Sequence, residues 1–124
     1  MNEIRIVIPD VPPSNNQFIG RNARWKYQQE KQAWHWKLKA AIRKRPDRPL
    51  KKAYVHIHYD YTDSRRRDPD NYSGKFLLDA LVREKIIEDD SFQHMDLTLT
   101  ASFRQPKKQT VITVTEVVEC QTGS

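Results

Sequence analysis

Residues 65–71 read RRRDPDN, three guanidinium groups running directly into two carboxylates. Proline disfavours the helical conformation in the residue before it, so Asp68 should be extended. Residues two apart in an extended segment point to the same side, so Asp68 and Asp70 can converge on one point. Two carboxylates held close repel unless a cation or a proton lies between them. Oxygen donors of this kind suit a hard divalent ion such as magnesium, with water filling its remaining positions. A structural use competes with this one. Asp and Asn are favoured N-caps, so Asp70 or Asn71 can begin a following helix while Asp68 pairs with an arginine. Arg65, Arg66 and Arg67 are themselves suited to phosphate oxygens.

More acid follows in IIEDDS, residues 86–91. Negative charge at a helix C-terminus opposes the macrodipole. Glu88, Asp89 and Asp90 are therefore either a solvated loop or a return that brings Asp89 or Asp90 back beside Asp68 and Asp70. Lys75 can reach a phosphate oxygen or a leaving group, or pair with Asp79 one turn along a helix. His56, His58 and Asp60 alternate in YVHIHYD. Such same-face groups can ligate zinc or manganese, but the polar face of a half-buried strand accounts for them more simply. Cys120 has no histidine beside it in sequence and reads as a plain thiol.

The elements that must position these groups follow from periodicity. EIRIVI (3–8) sets Ile4, Ile6 and Ile8 on one side, a strand signature. PDVPPSNN (9–16) excludes regular structure, and its end, Ser14, Asn15 and Asn16, can present polar groups to a ligand. From about Trp25 to Arg45, Tyr27, Trp34, Leu38, Ala41 and Arg45 recur at helical spacing, with Lys31, Lys37, Lys39, Arg43 and Lys44 largely elsewhere on the wheel. Trp25, Trp34 and Trp36 read as core more readily than as base-stacking groups. RPDRP (45–49) ends that helix. KAYVHIHYDYT (52–62) alternates as a strand with Ala53, Val55, Ile57, Tyr59 and Tyr61 on one face. A second helix is predicted over 72–85, its stripe being Leu77, Leu78, Leu81 and Val82. Strands follow at 95–103 and 110–118, with QPKK (105–108) as the turn between them. The order predicts an α+β domain, a mixed β-sheet with two main helices packed on it.

At 124 residues the chain reads as a single domain spanning 1–124, large enough for a core without staples. No apolar run approaches the roughly 20 residues of a membrane helix, and MNEIRIVIPD lacks the order of a signal peptide. A lone cysteine fits a reducing compartment, so a cytoplasmic location is expected. Charge is uneven. Residues 1–52 hold 13 Lys/Arg against 4 Asp/Glu, and residues 53–124 hold 9 against 12. That division suggests a polyanion-binding surface beside a carboxylate site, although basic residues also simply solvate a helix.

VPPSNN (11–16) before a basic helix, then RRRDPDN (65–71), KFLLDAL (75–81) and EDDS (88–91), resemble the RusA-type Holliday-junction resolvases of phages and prophages in order and approximate spacing. The resemblance covers most of the chain. It implies a RusA-like fold and a homodimeric, Mg²⁺-dependent endonuclease, with Mn²⁺ as a substitute ion. Such an enzyme nicks four-way junction DNA in paired, symmetric fashion during recombination, repair or phage DNA processing. By position, the metal-binding acids are Asp68, Asp70 and Asp90, with Lys75 as the helix lysine of the catalytic set. The implied DNA contacts are Arg65, Arg66 and Arg67, with Asn15, Asn16 and Asn71. The interval from Asp70 to LDAL is one residue longer than the family's, Gly74 being the extra position. A nuclease for other branched or flap DNA, or a catalytically weak DNA-structure-binding protein, are the alternatives.

Overall fold

The computed structural model describes residues 3–14, 18, 20–68, 72, 74–91 and 93–117. The elements are β1 (Glu3–Ile8), α1 (Ala23–Ala41), β2 (Ala53–Asp60), α2 (Lys75–Arg83), β3 (Met95–Ser102) and β4 (Gln109–Glu116). The four strands form one mixed sheet in the order β1-β4-β2-β3. β4 runs antiparallel to both β1 and β2, whereas β3 runs parallel to β2. The sheet and two helices enclose one core, as the order of elements implied.

Alternation builds that core. Ile4 and Ile6 of β1 lie opposite Val114 and Ile112 of β4, which in turn lie opposite Val55 and Ile57 of β2. All six are buried, and Trp34, Leu38, Phe76, Leu77 and Leu81 of the helices join them. The other sheet face carries Arg5, Tyr54, His56, His58 and Thr113 and is polar. β3 is an edge strand, so of its expected apolar face only Met95 is buried, while Leu97 and Phe103 are exposed.

Three local expectations change. Helix α1 ends at Ala41, before RPDRP, because Ile42 is already extended. Arg45 lies beyond the helix, where it binds the Glu84 carboxylate at 2.9 Å and the Glu84 carbonyl at 2.9 Å. Helix α2 starts at Lys75 rather than 72, and its N-cap is Gly74 at φ 78°; Asp70 and Asn71, the caps the sequence offered, lie outside the described residues. Residues 103–108 are not a hairpin turn, since β2 lies between β3 and β4. The connection runs past the end of β2, where Arg104 N–H donates to the Asp63 carbonyl and Gln105 N–H to the Tyr61 carbonyl.

Parallel neighbours need a crossover, and α2 supplies it between β2 and β3. Its exit is tied to the segment before β2: Leu50 N–H donates to the Ile86 carbonyl, and Glu88 N–H donates to the Leu50 carbonyl. Thus residues 61–68 lie toward the C-terminal end of β2, and residues 86–91 and 93–94 lie at its N-terminal end.

Candidate functional site

Asp63 organises the arginine loop. Arg67 grips it through both guanidinium nitrogens, at 2.5 and 3.2 Å, and Arg65 Nε adds a third contact at 3.2 Å. These bonds, Arg67's foremost, hold the Asp63 carboxyl well below the usual carboxylate range. The Arg67 pKa is raised by the same bond. The Arg67 guanidinium also lies 3.9 Å from the centroid of the Tyr61 ring, a cation–π contact that fixes the loop against the end of β2. Arg66 is separate. It pairs with Asp68, Nε to Oδ1, at 3.3 Å, and both side chains are largely in solvent.

Two hollows adjoin here. One, of about 90 Å³, is largely apolar and is lined by Tyr59, Tyr61, Tyr72, Leu99 and Ala101, with Asp68 at its wall. The other, of about 330 Å³, is polar; Pro12, Pro13 and Ser14 face Asp63, Arg65, Arg67 and Lys108 across it. Tyr61, Arg67 and Tyr72 line both. Lys108 also reaches Asp10 at 3.3 Å, where Lys37 pairs at 2.7 Å. Burial pushes the Asp10 carboxyl up, but the bonds to Lys37, Val11 N–H and Lys108 leave it lowered overall. Sequence reasoning missed Asp63, Tyr61, Tyr72 and Lys108. Only Asp63, four residues before Arg67, carried a local signal.

The fold therefore brings the Pro-rich segment, the arginine loop and Asp68 to one end of the β2–β3 pair. Asp70, Asn71, Asn15 and Asn16 lie outside the described residues, as does Cys120. Lys75 Nζ lies 5.2 Å from the Tyr27 ring centroid. The expected partner Asp79 is instead 3.7 Å from Lys31 of α1.

Asp89 and Asp90 are elsewhere. Asp89 lies 3.7 Å from His94, whose carbonyl accepts from Ala53 N–H at the start of β2. Asp68 instead lines a hollow shared with Leu99, Thr100 and Ala101. Strands β2 and β3 are eight residues long, so at about 3.3 Å per residue the pair spans roughly 25 Å. The crossover carries Asp89 and Asp90 to the far end of the strand pair from Asp68, not back beside it.

Among the described residues, no three or more His, Cys, Asp or Glu side chains are grouped to hold a metal. An ion shared with substrate needs less than such a cage. Magnesium is commonly held by one or two carboxylates, with water and substrate phosphate completing its octahedron. Asp68, half exposed beside cationic side chains, fits that kind of donor. On the polar sheet face, His56 Nε2 is 2.7 Å from Thr100 Oγ1 and His58 Nε2 is 3.0 Å from Asp60 Oδ1. These residues hydrogen-bond across the face, as a polar strand face requires.

Two of the three tryptophans depart from the expected core role. Trp34 is buried, but Trp25 is 62% and Trp36 59% exposed. Among the described residues no helix is long and apolar enough to cross a membrane. No protein-family model matches the chain, and no curated protein does.

Proposed function

We propose that the chain is a divalent-metal-dependent endodeoxyribonuclease acting on four-way DNA junctions. The observation that carries this reading is the meeting, at one end of β2–β3, of the Pro-rich segment, three arginines and an exposed carboxylate. Arg65, Arg67 and Lys108 supply the charge that a phosphate backbone requires. The planar forks of Arg65 and Arg67 are already oriented by Asp63, which lowers the cost of ordering them on DNA. The basic outer side of α1 would bear on flanking phosphates.

Asp68 and Asp70 would hold the ion, Mg²⁺ or Mn²⁺. A bound ion of this type lowers the pKa of a coordinated water and stabilises charge on a scissile phosphate. Arg66, now paired with Asp68, would turn to the substrate when that carboxylate takes a cation. Lys75, at the start of α2, would add positive charge near the leaving oxygen.

Asp90 can join such an ion only from a second copy of the chain, because its own copy separates it from Asp68 by much of a strand length. A two-fold dimer would then carry two sites, which suits a substrate of approximate two-fold symmetry. The test is nicking of a synthetic four-way junction with and without Mg²⁺, beside a matched duplex and a flap. Metal-dependent, paired nicks confined to the junction are expected. Duplex cut as readily as junction would overturn the substrate assignment, and binding without nicking would favour a DNA-structure-binding protein.

A further inference from the structure

The two hollows differ in chemistry and share a wall. One is a small aromatic recess, the other a wider cationic cleft, and Tyr61, Arg67 and Tyr72 stand between them. A ligand satisfying both has a planar apolar ring joined within a few bonds to an anion. Tyr61 adds an independent sign of an absent partner. The residue is only 4% exposed, and its hydroxyl is buried with no hydrogen-bond partner among the described residues. Buried polar groups are nearly always satisfied, so an orphaned hydroxyl at a cleft wall asks for a ligand atom. The ring is already braced, with the Arg67 guanidinium 3.9 Å from its centroid and Phe103 stacked at 5.6 Å and 16°.

We propose that this pair of hollows is a nucleotide subsite. An unpaired base of the DNA enters the recess formed by Tyr61, Tyr72, Leu99 and Ala101, and its phosphate lies in the cleft of Arg65, Arg67 and Lys108. The Tyr61 hydroxyl donates to an oxygen of the bound nucleotide. Asp68 at the recess wall sets this nucleotide next to the candidate ion site. The inference rests on reading this end as a nucleic-acid site and names what it holds: a base out of its stack, as a branch point can offer.

The test uses the full chain in chelator, with oligothymidylate and the same sugar–phosphate strand lacking bases as probes. Wild type should bind the base-bearing strand about tenfold more tightly, the worth of one base–aromatic stack. Ala101→Leu, at an exposed edge-strand position, should fill the recess and erase that ratio while leaving affinity for the abasic strand unchanged. Tyr61→Phe keeps the ring and removes a hydroxyl that has no partner among the described residues. It should leave the unfolding midpoint unchanged and weaken the base-bearing complex severalfold. Equal wild-type affinities for the two strands, or a ratio untouched by either variant, would overturn the proposal. Because these readings need no metal, failed nicking sinks the nuclease reading and leaves the ratio measurable. A missing ratio with intact nicking sinks the subsite alone.

Discussion

Replacing Gly74 by alanine tests how the start of α2 is set over β2. Gly74 has φ 78°, and a methyl group there would stand 2.7 Å from Ile57 Cδ1 and 3.4 Å from Tyr59 Oη. The left-handed backbone costs a non-glycine residue about 1–2 kcal/mol. The contact with Ile57, a fully buried side chain, adds about 1 kcal/mol of overpacking, at the low end because only a terminal methyl must give way. Together these predict a loss of about 2–3 kcal/mol, a substantial share of the 5–15 kcal/mol typical of a domain. In urea, with m of about 2 kcal/mol/M, the midpoint should fall by about 1 M or more at unchanged m. Tryptophan fluorescence follows the transition, since Trp34 is in the core. A midpoint within error of wild type would refute both the left-handed cap and the close approach to Ile57.

Two other predictions bear on the scaffold and on assembly. Glu84, held by Arg45 and hydrogen-bonded to His35, has its carboxyl lowered, chiefly by Arg45. Glu84→Gln should cost about 1–3 kcal/mol at neutral pH. The folded state favours the carboxylate, so the wild-type advantage is complete above the ordinary value of 4.5 and fades as pH falls through the lower folded value. Equal stability of the two proteins at neutral pH, by urea unfolding, would contradict the network. Asp68→Asn and Asp90→Asn chains should each be inactive alone. Mixed and re-associated, they should regain a measurable fraction of nicking, because one of two composite sites per mixed dimer is intact. No recovery, with mixed dimers shown to form, would remove Asp90 from a site shared between copies.

The strands were legible because β-branched alternation is local. EIRIVI states its buried face outright, TVITVTE shows a strand by its β-branched residues, and the two are paired in the sheet. Where tertiary contacts compete with propensity, reading by pattern failed. Arg45 leaves the helical spacing to bind Glu84, and Gly74, which reads as a mere extra residue, caps α2 at close range to Ile57. Pairing order was also hidden. Nothing in QPKK shows that β2 intervenes between β3 and β4, and that crossover decides which acids can meet. Of the candidate site, RRRD and VPP were visible as motifs, and the fold brings them together. Tyr61, Tyr72 and Lys108 were not, because they converge only through long-range packing.

The most direct test of the central claim is nicking of a four-way junction by wild type, Asp68→Asn and Asp70→Asn in Mg²⁺, with junction binding measured in parallel in chelator. Wild type should nick only with the metal, and each variant should lose nicking by at least a hundredfold while still binding the junction. Nicking that survives either substitution, or that proceeds in chelator, would contradict the assignment of these aspartates to the ion.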